Sequence, residues 1–509
     1  MAQEQSISSR WDELSRVRDP VLERARSCSK LTVPHLLPPS GTTQKDDLPT
    51  PYQGLGARAV NNLSAKLLLA LFPPNSKFFR LSVSEAAIQE MPQSRGEIDE
   101  SILELERVIQ HDIDSSNMRT AAFEAIKHLV VTGNVLVHLP EEGGLRLYRM
   151  DQYVVRRDPM GNVLEIIVKE DLSPSSLPAE ARNAIEGDEN TEEKTVSLYT
   201  HIWRSNEDGD PKYKIKQVVN GQTLPDSEGD YPVNALPWLP LRFQMVTGED
   251  YGRGLVEEHL GDFRSLEKLT KAITDGAQAA ARILYFRNPN SSTRKKDLVE
   301  SDNGDVIDGN PEDVGLLQLD KYTDFNFAQE MAIEIRTRLS EAFLLSSTVR
   351  RDAERVTAEE IRYMASELED ALGGVYSVLS QEFQLPLIRR EITLLQKKQK
   401  LPEMPEDLVS PVITTGLQAL GRGHDMENLN LFVKTLIETM GPEVAKQFMN
   451  FDELISRYAA ALGIDTENLV KSQEQMEQER QQQAQMEAMQ SMAPQAMRGA
   501  QAQSQPQPQ

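Results

Sequence analysis

Seven histidines (His35, His111, His128, His138, His201, His259 and His424) and one cysteine, Cys28, are the side chains best suited to metal or nucleophilic chemistry. No two histidines fall at a metal-ligand spacing, and no zinc-protease, paired-cysteine, serine-elbow or calcium-loop pattern occurs. His259, after Glu257 and Glu258, reads as a surface or packed histidine. Glu359-Glu360 and Glu367-Glu369-Asp370 have the chemistry of acid/base pairs, but on a long helix they read more simply as a solvated face. Gly54 and Gly56 suggest a phosphate loop, yet the lysine-bearing glycine motif of such loops is missing throughout. The sequence therefore gives no support for catalysis. One set remains: Arg350, Arg351 and Arg355, beside Asp352 and Glu354 in the segment 346–356. Guanidinium groups contact phosphate without reading bases. Alone, three such arginines are ordinary surface residues; their position in the chain gives them weight.

The segment 346–356 joins two helices. The first carries Phe327, Met331, Ile335, Leu339 and Phe343, and the second Ile361, Met364, Leu368, Leu372, Val375, Leu379 and Phe383. Both sets step by three or four, which places them on one helical face. Thr357 with Glu360 reads as a capping box at the second start. Helical to Lys400, that second element would be about 66 Å long, a spine rather than a packing helix. Gly373, Gly374 and Pro386 interrupt it, and bends are expected there.

The chain has 509 residues, enough for several domains, and a formal net charge of -24. So acidic a surface does not invite nucleic acid as a whole, because phosphate binding needs Lys and Arg. It would suit a surface that DNA must pass without sticking, although solubility alone is the plainer reading. A single cysteine permits no intrachain disulfide, which fits a reducing compartment. The N-terminal residues lack a basic-plus-apolar signal pattern. The longest apolar run, Leu67 to Phe72, falls far short of a membrane span and reads as a buried helix.

In chain order, residues 9–30 read as a charged helix containing Trp11, Leu14, Val17, Val21 and Leu22. A proline-rich extended stretch follows, then an apolar helix that Pro73-Pro74 stops. Residues 97–131 read as two amphipathic helices ending at Gly133. From Val135 the period changes to two, with short strand-like runs at 135–139, 145–149, 153–157, 163–168, 196–203, 213–219 and 238–244 and an acidic loop at 171–194. This is an α+β body, not a series of βαβ units. A helix resumes at Gly252 with Leu255, Val256, Leu260, Phe263, Leu266, Leu269 and Ile273, followed by small residues at 276–281 that permit close approach of a neighbouring helix. A module then carries strands at 283–286, 305–307 and 316–319 and one basic cluster, Arg294-Lys295-Lys296. One helix enters this module and another leaves it, so their ends should lie together with the module at the far end of a stalk. Val412 to Gly416 reads as a strand returning to the body. Helices are expected at about 425–440, 442–463 and 466–492, then a disordered Gln-rich end.

This order resembles the portal, or head-to-tail connector, proteins of short-tailed bacteriophages of the podovirus and autographivirus type. Sequence words carry the likeness: Gly56-Ala57-Arg58 with Asn61-Asn62-Leu63; Leu67 through Pro73; Tyr251-Gly252-Arg253 with Leu260-Gly261-Asp262; Glu354 through Tyr363; and Ser366 through Asp370 with Gly373-Gly374-Val375-Tyr376-Ser377. It spans about residues 9–470.

The resemblance implies an α+β, mostly helical fold with named parts: wing 1–250, first stem helix 251–282, clip 283–325, second stem helix 326–345, tunnel loop 346–356, kinked spine and return to the wing 357–423, crown 424–492 and tail 493–509. It implies a ring at one capsid vertex of the virion, typically dodecameric in the family, that passes double-stranded DNA during packaging and ejection. Implied partners are terminase, major capsid and scaffolding proteins and tail adaptors, with no membrane and no cofactor, and assembly in the host cytoplasm. Arg350, Arg351 and Arg355 would then form the constriction, Lys271 and Arg338 would be weaker stem contacts, Gly373, Gly374 and Pro386 the hinge, and Arg294, Lys295 and Lys296 the clip contacts. A structural tail or adaptor protein without a channel, and a nucleic-acid enzyme, stand as the other classes.

Overall fold

A computed structural model describes residues 6–43, 45–74, 77–83, 95–173, 176, 195–206, 211–225, 227–280, 284–290, 293–317, 322–345, 368, 371–372, 374–402, 409–413, 430–441, 444 and 454. The chain divides into two units, Met1–Leu417 and Gln418–Gln509.

The first unit begins with helix α1 (Ile7–Leu31), capped by Ser6, whose hydroxyl accepts from the Ser9 amide. Its inward stripe is Trp11, Leu14, Arg18, Leu22 and Ala25. Val17 is 59 % exposed, and Arg18 lies on the buried side. The Arg18 guanidinium donates to the carbonyls of Asp151 (3.2 Å), in a turn, and Tyr153 (3.0 Å), so the buried charge has hydrogen-bond acceptors. Helix α2 (Leu55–Leu71) is buried along most of its length and ends before Pro73-Pro74, as its apolar run predicts.

Strand β1 (Phe79–Val83) precedes helices α3 (Arg95–Ser115) and α4 (Met118–Thr132). Helix α4 ends at Gly133, in the left-handed region at φ 76°. A side chain there would lie 2.5 Å from the Arg253 backbone, so glycine is required twice over. This crossing seats the segment 252–254: Asn134 accepts from the Gly252 amide (2.7 Å) and donates to its carbonyl (2.9 Å).

Strands β2 (Asn134–His138), β3 (Arg146–Tyr148), β4 (Tyr153–Arg157), β5 (Val163–Leu172), β6 (Val196–Ser205), β7 (Lys212–Val219), β8 (Gln222–Thr223), β9 (Gly229–Pro232) and β10 (Trp238–Arg242) follow. They form a three-stranded sheet, β10-β2-β3, and a six-stranded one, β4-β5-β6-β7-β8 with β9 also on β7. All pairs are antiparallel. Period two decides the faces: Tyr153, Val155, Ile166, Val168, Ile202 and Ile215 join one core, whereas Val154 and Ile167 meet Trp11 and Leu14 of α1 on the other side. The α+β reading holds, and β5 runs past 168 to Leu172, where a loop was expected from 171.

After the sheets come α5 (Leu255–Glu258) and α6 (Leu260–Ala280), one stretch in the sequence reading but broken at His259. Strand β11 (Leu284–Arg287) pairs antiparallel with β12 (Val314–Leu317), and α7 (Lys295–Glu300) lies between them in sequence. The strand expected at 305–307 is not formed; those residues are irregular, and Val306 is 99 % exposed. With β11 and β12 paired directly, the short apolar run has no strand to join. Helix α8 (Tyr322–Ala342) returns antiparallel beside α6.

Past Leu368 and the helical pair 371–372, helix α9 (Val375–Leu379) leads through a π-helical turn (Ser380–Gln384) into α10 (Leu385–Lys397). At Pro386, where a bend was expected, the proline sits in the first turn of α10 and the widened turn precedes it. The return strand is β13 (Val409–Ile413), slightly earlier than expected, and its partner is β1, which periodicity did not reveal.

In the second unit residues 430–440 are helical, with Leu431, Phe432 and Met440 exposed. The segment 346–356, the spine start at Thr357, Gly373, and most of 414–509 lie outside the described residues.

Candidate functional site

The hairpin of α6 and α8 is the element on which the candidate residues converge. Burial along it falls in one direction. Near the body Leu260, Phe263 and Leu266 are buried, further out Leu269 and Ile273 are half-buried, and residues 277–279 are exposed. Helix α8 mirrors this: Phe343, Leu339, Ile335 and Ala332 are buried, and Phe327 is 68 % exposed. The hairpin therefore leaves the core and carries the β11–β12 ribbon at its far end.

The near end is anchored. Phe343 packs between the rings of His259 (5.8 Å) and Phe263 (5.6 Å). The next residue, Leu344, has φ 53°, which turns the chain out of the helix. Its carbonyl accepts from Lys66 Nζ (2.9 Å) and Asn62 Nδ2 (3.1 Å), and Asn62 also reaches the Phe343 carbonyl (3.3 Å). Asn62 and Lys66 lie four residues apart on α2 and so share a face. A cation at the carbonyl end of a helix is favourable, and here it also satisfies acceptors left over when the helix stops. Segment 346–356 thus leaves from a fixed root. Arg350, Arg351 and Arg355 themselves lie outside the described residues.

Arg338 and Lys271 are on the hairpin. Arg338 donates to Asp262 (3.1 Å), tying α8 to α6, and Lys271 lies 5.6 Å over the Tyr52 ring. One turn earlier, Glu267 accepts from the Tyr52 and Gln53 amides (3.0 and 3.2 Å). Those contacts hold the segment before α2 against the stalk.

On the spine side, Gly374 sits at φ -68°, open to any residue, and a side chain there would meet nothing within 4 Å. The π turn carries two anchors. Glu382 accepts from the Arg242 amide (3.1 Å) and Nε (3.0 Å) and ion-pairs with its Nη2. Gln384 donates to the Leu71 carbonyl, and Tyr376 donates to that of Ala70 (2.9 Å). Both ends of the interval around 346–373 are therefore fastened to α2: Leu344 through Asn62 and Lys66, and the spine through the last carbonyls of the same helix.

At the ribbon, Arg294, Lys295 and Lys296 are exposed at the start of α7. Thr293, buried beside them, donates to Asp313 (3.1 Å) and accepts from the Asn310 amide (3.0 Å), which closes the module. Cations at a helix start oppose the helix dipole, and among the described residues only Lys296 of the three has an ion-pair partner on that helix, Glu300 one turn on at 3.8 Å.

Among the described residues no cluster of His, Cys, Asp and Glu could hold a metal, and no helix is long and apolar enough to cross a membrane. Burial lowers the His128 and His138 pKa values to about 4 each, which keeps both neutral. Lys66, Glu267 and Glu382 were not singled out from sequence, and Asn62 entered only within the word Asn61-Asn62-Leu63. Lys66 carried a signal, the one charge in the apolar run from Leu63 to Leu71.

A family profile described as "Bacteriophage head to tail connecting protein" matches residues 4–470. The portal protein of Escherichia phage T7 is 41 % identical over 485 residues, covering 93 % of this chain and 90 % of that protein. Those of Enterobacteria phages T3 and SP6 are 40 % identical (93 % and 89 % covered) and 32 % identical (94 % and 92 % covered). Likeness to solved structures is slight: the neck of an empty gene transfer agent particle gives a TM-score of 0.37 at 11 % identity, covering 81 % of this chain and 90 % of that one.

Proposed function

The chain belongs to the family of bacteriophage head-to-tail connecting proteins, and from that premise we propose that it is a portal: a ring at one capsid vertex through which double-stranded DNA is packaged and later ejected. The observation that carries this reading is the anchored α6–α8 hairpin with a small ribbon at its far end. Such hairpins, repeated about an axis, would make a channel wall, with each root presenting a segment 346–356 at one height.

DNA carries one charge per about 1.7 Å of its axis. An acidic wall repels that charge and keeps a duplex from parking, while isolated basic rings give contacts that break and reform as it moves. Arg350, Arg351 and Arg355 take the constriction role. Lys271 and Arg338 rank below them, because each already has a partner within the chain. Gly373, Gly374 and the turn at Pro386 are where the spine would flex. Arg294, Lys295 and Lys296, exposed together at one end of α7, would face terminase during packaging and tail adaptor proteins afterwards. The body and second unit would meet major capsid and scaffolding proteins. The role is structural, ATP hydrolysis falling to terminase, and assembly would take place in the host cytoplasm before the portal joins the virion.

End-on electron micrographs of the purified protein test this. A ring, expected to have twelve subunits, with a hole wide enough for a duplex supports it. A solid or open assembly would make the chain a tail or adaptor protein instead. Incubation with DNA, Mg²⁺ and ATP is expected to leave DNA and nucleotide intact.

A further inference from the structure

The two outer edges of the α6–α8 hairpin carry opposite charge. On α6, Arg264 and Lys268 lie four residues apart on the side turned away from α8, both exposed. On α8, Glu330, Glu334 and Glu341 step by four and seven on the side turned away from α6, all exposed. The inward sides are fixed independently, by Phe263, Leu266 and Asp262 on α6 and by Ile335, Leu339 and Arg338 on α8. None of the five outer side chains makes an ion pair within the chain among the described residues.

Heights along the hairpin can be compared. Asp262 pairs with Arg338, and Phe343 packs between His259 and Phe263. With antiparallel helices rising about 1.5 Å per residue, Glu334 is level with residues 266–270, the middle of which is Lys268. Glu341 falls within about one turn of Arg264 by the same register. Cyclic symmetry has no axial translation, so contacts between neighbouring copies must join groups at equal height. The two edges meet that condition.

Shape agrees with charge. Beside Arg264 and Lys268 the α6 edge has Gly261, Ser265 and Ala272, and a side chain at Gly261 would meet nothing within 4 Å. The α8 edge has Ile333, 52 % exposed, and Phe327, 68 % exposed. Toward the body one edge is small and basic, with Asp275 exposed further out on the same face; the other is bulky, apolar and acidic.

We propose that the α6 edge of one copy docks on the α8 edge of the next, with Arg264 and Lys268 facing Glu341 and Glu334 of its neighbour. The contact is heterologous, each edge meeting the other kind, as a closed ring needs. It rests on the ring reading above and assigns the stalk's basic edge to subunit joining.

The test uses two full-length variants, R264E/K268E and E334K/E341K, with size-exclusion light scattering and negative-stain microscopy. The first has two acidic edges and the second two basic ones. Each alone is expected to lose ring at least about tenfold through like-charge contact. Mixed one to one, they should recover rings of alternating copies, all with even subunit numbers. Circular dichroism should show both folded, since all four sites are exposed. If either variant alone forms rings as the wild type does, or if both stay folded and the mixture recovers none, the edge assignment is wrong. If the wild type itself forms no ring, the ring reading fails instead.

Discussion

Lys66 places its ammonium 2.9 Å from the carbonyl oxygen of Leu344, 278 positions later in the chain. With Asn62 it closes the C-terminal end of α8 at the point where segment 346–356 departs.

Removing that closure should loosen the loop's root before anything else. Asn62→Ala leaves two carbonyls short of a donor and should cost about 1–2 kcal/mol; Lys66→Ala should cost about 2–3 kcal/mol, since Lys66 is 5 % exposed and its stem packs too. Limited trypsin digestion should then cut at Arg350, Arg351 or Arg355 faster than in wild type. An unchanged cleavage rate together with an unchanged melting temperature would show that the root is held by other means.

Glu382 has a heavier task. Arg242 is 3 % exposed, and Glu382 meets both its amide and its guanidinium. Glu382→Ala strands a buried cation and should destabilise by about 3 kcal/mol. Glu382→Gln keeps acceptors for Arg242 and should cost less. Thermal unfolding checks the order. Equal losses would mean that the charge of Glu382 counts for nothing beyond its packing.

The acid pair Asp112 and Glu391 should make stability fall with pH. Burial first, and then Asp112, raises Glu391 from its ordinary 4.5 to about 7. Asp112 is lowered, chiefly by its hydrogen bond with Glu391 and further by Lys400 at 3.0 Å. Above pH 4.5 the unfolded chain releases the Glu391 proton while the folded chain keeps it. The contribution therefore drops from pH 4.5 to about 7 and levels off beyond, a loss of at most about 3 kcal/mol. The depressed Asp112 acts the other way: its contribution is present above its ordinary value and is lost at more acid pH. Glu391→Gln keeps a donor toward Asp112 and should flatten the decline across that window, which melting temperatures from pH 4.5 to 8 would reveal. A decline as steep in the variant as in wild type would assign it to other groups.

What the sequence disclosed followed from local rules. Period two in 153–168 and three-to-four spacing in 255–273 and 327–343 are set by neighbours along the chain, and the structure forms strands and helices there. One helix entering and one leaving the module implied that their ends lie together, but not that β11 pairs directly with β12. Long-range partnerships were not legible. The return strand near residue 412 was legible, but its partner β1, more than 300 residues away, was not. The burial of Arg18 reflects carbonyls of 151 and 153 that no local pattern announces. The role of Lys66 was not legible because its acceptor, Leu344, belongs to the end of α8. The arginines of 346–356 were legible as a group, and the structure adds the geometry of the root from which they leave.

Those arginines give the most direct functional prediction. Arg350→Ala with Arg351→Ala removes two of the three cations from each copy while leaving Asn62, Lys66 and the α6–α8 edges intact. Rings should assemble normally. Each lost phosphate contact removes one released counterion, so residual binding of duplex DNA by isolated rings should depend less steeply on salt, by a slope of roughly 0.9 per contact. In particles, a constriction without these side chains should hold DNA less firmly against the pressure of packing, giving shorter or leaking genomes, read from the length of encapsidated DNA. A purely structural loop would leave both readouts where they were, provided the rings are intact. Arg355→Ala separates the two ideas further: it should add to the double variant if all three side chains face the bore, and add nothing if Arg355 instead serves the start of the spine helix at Thr357.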